Sequence, residues 1–192
     1  MLDMSSQSRR APHSERGLDC YETPTVAVDA LLRIEQLPDT IWEPAAGNGN
    51  IVKVLRATGR TVYASDVADY GCGMAGVDFL ETELRPPAAA IVTNPPYQFA
   101  QKFVERALEL SPLVVMLMRL AFYESERRRH ILEGCGLARI HAFRKRLPMM
   151  HRKDWDGPKA NSGMAFAWFV WDRNHNGSTS IDRISWETPD GA

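Results

Sequence analysis

No apolar run in this sequence approaches the roughly 20 residues that a membrane-spanning helix requires. The longest candidate, residues 112–118, is cut off at Arg119. Cysteine is scarce: Cys20, Cys72 and Cys135 stand far apart and are odd in number, which excludes a disulfide framework and favours a reducing, cytoplasmic setting. Neither they nor His130, His141 and His175 keep metal-ligand spacing, so no metal site is expected. An excess of one charge is also missing. Lys and Arg number 23 against 24 Asp and Glu, a net charge of -1, which argues against a surface that is basic throughout but leaves room for a local basic patch. The first twelve residues have no apolar signal core, and residues 1–17 read as a flexible tail. What is present is 192 residues with 44% hydrophobic and 24% charged side chains. That is the size and composition of one globular domain, placed at residues 18–192.

Along the chain the hydrophobic period keeps changing. Val26, Ala30, Leu31 and Ile34 recur at helical spacing behind Pro24. A short strand, 41–43, then runs into Pro44-Ala45-Ala46-Gly47-Asn48-Gly49. Ile51, Val52 and Leu55 give the next helical face, and Gly59 closes it. A strand at 61–64 follows, then a glycine-rich loop over 68–77. Residues 89–93 form a continuously apolar strand of the kind buried on both faces, and Asn94-Pro95-Pro96-Tyr97 must end it, because proline cannot donate to a ladder. Beyond lie an amphipathic helix over 99–110, a strand at 113–118, a helix over 121–132, a strand at 137–143, and a polar loop over 144–162. A strand at 163–171 and a terminal strand at 180–186 close the chain, with Gly177 in the turn between them. Alternating strands and helices followed by two sequential strands predict an α/β, three-layer domain with a mainly parallel sheet and an antiparallel C-terminal edge.

The segment around Gly47 and Gly49 has the composition of a ligand cradle, since glycines let backbone amides approach a bound group. It is not a dinucleotide fingerprint: Val52 stands where the third glycine of G-x-G-x-x-G belongs. No phosphate loop is present, because Val54, not a hydroxyl residue, follows Lys53. Glu43, ending the first strand, would repel a pyrophosphate but suits a cationic or hydroxyl-rich ligand. Asp66, ending the second strand, is placed to accept from two vicinal ribose hydroxyls. On these residues the chain resembles class I S-adenosylmethionine-dependent methyltransferases, whose fold is Rossmann-like. The resemblance implies S-adenosyl-L-methionine as cofactor. Its methionine end would meet Glu43, Pro44, Ala45, Gly47 and Gly49, and its ribose would meet Asp66. Asp78 and Phe79 resemble the motif in which an acid bonds the adenine amine and an aromatic packs on the ring.

Asn94-Pro95-Pro96-Tyr97 offers different chemistry. Two prolines fix the backbone and leave carbonyl oxygens as acceptors. Asn94 can accept from the same amine, and Tyr97 can stack on a planar base for about 1–3 kcal/mol. The motif resembles that of the amino-methylating methyltransferases, and Tyr21-Glu22-Thr23-Pro24 resembles the segment that folds against the cofactor in the DNA adenine-N6 type, adding Tyr21 and Thr23 to the cofactor site. This implies methyl transfer to an exocyclic amine, adenine N6 in DNA first, with RNA adenine, protein glutamine or a noncatalytic nucleic-acid-binding role as alternatives. Arg144, Arg146, Arg152, Lys153, Trp155 and Lys159 form a basic, aromatic-containing loop suited to phosphates and an extruded base. With no sizeable recognition domain in this reading, the chain resembles small phage or prophage methylases, and a separate partner could supply specificity.

Overall fold

The structure, a computed structural model, describes residues 22–148 and 163–187. The 1–17 tail, Tyr21, and Arg152, Lys153, Trp155 and Lys159 of the basic loop lie outside the described residues.

Among the described residues seven strands form one sheet: β1 (Thr40–Glu43), β2 (Thr61–Ala64), β3 (Ala90–Thr93), β4 (Leu113–Arg119), β5 (Leu137–Phe143), β6 (Phe166–Asp172) and β7 (Ser180–Ile184). Their spatial order is β2-β1-β3-β4-β6-β5-β7. All neighbouring pairs are parallel except those made by β6, which is antiparallel to β4 and to β5. The α-helices among the described residues are α1 (Thr25–Leu32), ahead of β1, and α2 (Asn50–Ala57), α3 (Ala100–Leu110) and α4 (Arg129–Glu133) between strands. Among the described residues no helix is long and apolar enough to cross a membrane.

Alternation along the strands divides the interior into two cores, one on each face of the sheet. Ile41, Val92, Val115, Leu117, Trp168 and Val170 face α1 and α2. Trp42, Ile91, Met116, Met118, Phe169 and Trp171 face α3 and α4. The three layers expected from the sequence therefore follow from period-two patterning in strands that are buried on both sides. Each buried indole finds an acceptor: Trp168 Nε1 donates to Ala27 O at 2.9 Å, Trp171 Nε1 to Ile131 O at 2.8 Å and Trp42 Nε1 to Ser65 Oγ at 2.9 Å, as a desolvated N–H must. Glu35, just past α1, accepts from Arg139 Nε and contacts His141 Nε2, both at 2.6 Å, tying the α1 end to β5. Burial opposes its charge, but the His141 and Arg139 hydrogen bonds win and hold the carboxyl below its usual range.

Two expectations change. The helix read over 121–132 is three shorter pieces: helical turns at Leu120–Tyr123 and Glu126–Arg128, then α4. Ser125 interrupts them in an extended conformation, φ -145° and ψ 119°. The three arginines 127–129 therefore straddle the start of α4 rather than its C-terminal end. The last two strands also do not pair with each other. β7 lies parallel beside β5, with Ile140 opposite Ile181, while β6 is inserted between β4 and β5. The antiparallel component is thus one reversed strand on the C-terminal side of the sheet, and Gly177 lies in a connection that passes β5.

β1 is flanked by β2 on one side and β3 on the other. The connection from β1 to β2 carries α2 on one face, and that from β3 to β4 carries α3 on the opposite face. Such a switch point opens a crevice at the carboxyl ends of the strands.

Candidate functional site

The crevice holds a cavity of about 340 Å³, within the range of small-molecule sites. Its wall joins both motifs: Pro44, Ala45, Gly47 and Asn48 on one side, Asn94, Pro95, Pro96 and Tyr97 on the other. Thr23, Asp66, Asp78 and Phe79 complete the expected residues that line it.

The Gly47 side of the cavity is built mainly from backbone. Gly47 and Gly49 adopt φ of 49° and 79°, a conformation that costs other residues energy. A Cβ on Gly49 would also stand 2.9 Å from Cys72 Cβ. Gly49 accordingly belongs to the loop's packing: it is buried and does not line the cavity. Asp66 Oδ2 accepts from Gly47 N at 2.9 Å and Oδ1 from Ala68 N at 3.0 Å, so the carboxylate fixes the loop while each oxygen retains a second acceptor position. The returning chain 66–77 closes on the loop: Cys72 Sγ donates to Gly47 O at 3.1 Å. Burial first, and the neighbouring carboxyl groups second, push the Cys72 thiol up, which suits it to donate. Gly73 is required there because a Cβ would meet Ala64 O at 2.4 Å.

Glu43 lies deeper than the other expected residues. It is fully buried and is not among the residues that line the cavity. Its Oε1 accepts from Ala45 N at 3.2 Å and from Thr93 Oγ1 at 2.5 Å. One carboxyl thereby joins the first residues of the cofactor loop to the residue before Asn94. Desolvation pushes its pKa up to about 8, against the lowering effect of the Thr93 and Ala45 hydrogen bonds. It is mostly neutral at pH 7 and acts as a brace, not as a counter-charge. Phe79 is only 2% exposed. Its ring packs on Trp42 and Phe103 at centroid distances of 5.1 and 5.0 Å, leaving little of it for a ligand. Asp78 is exposed at the cavity wall, with Oδ1 accepting from Leu80 N at 2.9 Å.

On the acceptor side the prolines carry the chain out of β3 and into the helical turn Tyr97–Phe99 that leads to α3. Asn94 Nδ2 donates to Thr23 Oγ1 at 3.1 Å, and Asn50 Nδ2 donates to Thr23 O at 2.9 Å. Thr23 is thus a second bridge between the two motifs, and the amide of Asn94 is held by its nitrogen end. Tyr97 lies against Phe166 at 5.8 Å, with the Arg119 guanidinium over its ring at 4.5 Å. Sequence reasoning missed Arg119, whose only trace was a charge ending an apolar strand. It also missed Phe99, which lines the cavity with 42% of its surface exposed. Arg144 and Arg146 are not brought to the cavity. They follow β5, where Arg144 Nε donates to Arg183 O at 3.4 Å and Arg146 O accepts from Trp186 Nε1 at 3.1 Å.

No family model and no curated protein matches the chain. Solved structures do. A candidate RNA methyltransferase from Pyrococcus horikoshii superposes with a TM-score of 0.61 at 18% identity, over 81% of this chain and 88% of that one. A candidate class I S-adenosylmethionine-dependent methyltransferase from Listeria monocytogenes gives 0.62 at 14%, over 90% and 68%. A modification subunit of a candidate type I restriction enzyme from Vibrio vulnificus gives 0.55 at 13%, over 90% and 48%. Likeness at these identities carries the fold, and with the cavity in place the chain has the mixed, mainly parallel seven-stranded fold of class I S-adenosylmethionine-dependent methyltransferases.

Proposed function

We propose that this chain binds S-adenosylmethionine and transfers its methyl group to an exocyclic amine, adenine N6 in DNA. The observation that carries the reading is that the Gly47 loop and Asn94-Pro95-Pro96-Tyr97 line one cavity and are braced to each other through Glu43 and Thr23.

The residues suit the cofactor. Asp66, Asp78 and Glu81 give the cavity an acidic side, favourable to a ligand carrying a sulfonium and an ammonium and unfavourable to a pyrophosphate. Asp66, whose oxygens each keep an acceptor position, suits ribose hydroxyls, and the glycine loop suits the methionine end. When bound, the cofactor supplies an electrophilic methyl group. The chain's own part is to hold the acceptor. Asn94 Oδ1 and a proline carbonyl accept the two amine hydrogens, which withdraws the nitrogen lone pair from ring conjugation, while Tyr97 stacks on the base. Fixed dipoles and alignment account for the rate enhancement without a covalent enzyme intermediate. The departing proton passes to solvent.

The test is label transfer from methyl-labelled S-adenosylmethionine to unmethylated double-stranded DNA, followed by nucleoside digestion. Label in N6-methyladenine supports the reading. Label confined to RNA or to a protein glutamine replaces the acceptor, and no transfer to any of the three by folded protein rejects it.

A further inference from the structure

Arginines in this fold are almost all committed. Arg128 stacks over Phe122 at 4.2 Å and also donates to Phe122 O at 2.8 Å. Arg129 pairs with Glu126 and Glu133, and Arg139 with Glu35. Arg127, Arg146 and Arg183, whose side chains have no acceptor among the described residues, are exposed to water. Arg119 is the exception: half-buried at the carboxyl end of β4, it has its guanidinium over the Tyr97 ring at 4.5 Å. Its Nε is buried without a hydrogen-bond partner, and among the described residues no carboxylate pairs with it.

A partly desolvated cation with no counter-charge is costly unless a ligand supplies one. Stacking uses the face of the guanidinium and leaves its in-plane N–H donors able to grip an oxyanion in a bidentate manner. The position is also informative: Arg119 does not itself line the cavity but lies over Tyr97, which does, whereas the opposite wall carries Asp66, Asp78 and Glu81. An anion is therefore expected on the acceptor and not on the cofactor. A base lying on Tyr97 brings its own sugar-phosphate to the rim of that ring. A glutamine side chain brings no anion.

We infer that Arg119 binds a backbone phosphate of the nucleotide whose base enters the Asn94–Tyr97 clamp, making the acceptor a polynucleotide. The inference rests on the proposed amine methylation and adds a phosphate contact to its nucleic-acid acceptor; DNA and RNA share the phosphate, and the test separates them.

The experiment measures binding of an adenine-containing oligonucleotide, as DNA and as RNA of the same sequence, at several salt concentrations with S-adenosylhomocysteine present. Wild type is compared with Arg119→Gln and Arg119→Lys. Loss of one phosphate contact should lower the salt slope by about 0.7 on a single strand or about 0.9 on duplex. It should also weaken binding about tenfold to a hundredfold. Arg119→Lys should keep the slope, and the strand type bound more tightly by wild type names the source of the phosphate. If Arg119→Gln does not fold, wild type on oligonucleotides with single methylphosphonate linkages beside the adenine should show the same fall in slope at one linkage. An unchanged slope with Arg119→Gln overturns the inference even if adenine in DNA is methylated, and leaves the methylation reading intact. Methylation of a glutamine peptide by a protein that binds no oligonucleotide overturns both.

Discussion

The two sides of the cavity are built by different means. On the β1–β2 side the chain contributes mainly backbone: glycines in left-handed conformations, an Asp66 carboxylate spent on loop amides, and a returning segment, 66–77, that locks the loop from behind. On the β3–β4 side it contributes side chains: the Asn94 amide and the Tyr97 ring, with the Arg119 cation over that ring. The difference follows from what each ligand presents. A cofactor of fixed shape is matched by rigid backbone, whereas an acceptor amine must be oriented through its hydrogens and its ring face. Glu43 and Thr23 make hydrogen bonds to both sides.

If that division holds, damage to one side should leave the other working. The largest separation is expected from Asn94→Ala. Removing a preorganised acceptor should cut kcat about 100- to 1,000-fold, with the KM for S-adenosylmethionine nearly unchanged; steady-state kinetics in each substrate check this. Gly49→Ala should do the opposite. Its strained φ and the 2.9 Å approach to Cys72 Cβ should cost about 1–3 kcal/mol, seen as a lower melting temperature and a raised KM for the cofactor.

Glu43→Gln probes the brace. The carboxyl ionises near 4.5 in the unfolded chain and near 8 in the folded one, so between those values the folded state retains a proton that the unfolded state has lost. Stability should then fall as pH rises across this window and level off above it. Thermal melts of wild type should drop by a few degrees between pH 5 and 8, and the variant should flatten that dependence. A wild-type curve that rises over the same range would contradict a neutral brace. The smallest effect is expected from Thr23→Val, which keeps the volume but loses the hydroxyl that accepts from Asn94. About 1 kcal/mol, or fivefold in kcat, is the scale of one such hydrogen bond, with the overall fold unchanged by circular dichroism.

Much of this architecture was legible in the residues, for identifiable reasons. Strands buried on both faces must be continuously apolar, so 89–93 and 113–118 stood out. The motifs that end β1 and β3 contain glycine and proline, whose backbone constraints survive any context. What stayed hidden depends on contacts distant in sequence. Periodicity tells which face a residue occupies, not which strand is its neighbour, so β7 was read beside β6 when it pairs with β5. The helix over 121–132 failed because Ser125 is extended although its neighbours look helical. The position of Glu43 at a strand's end is visible in sequence. Its burial and its bond to Thr93, 50 residues away, are not. Arg119 looked like the end of an apolar run, and only the packing of Tyr97 gives it a role.

The central claim is that the backbone side of the cavity is a cofactor site independent of the clamp. Calorimetric titration of S-adenosylmethionine into wild type, Asn94→Ala and Gly49→Ala tests it most directly. One cofactor should bind per chain, Asn94→Ala should match wild type, and Gly49→Ala should bind more weakly by about tenfold or more. A folded wild-type protein that takes up no cofactor, or an Asn94→Ala variant that loses it as fully as Gly49→Ala, would contradict the account.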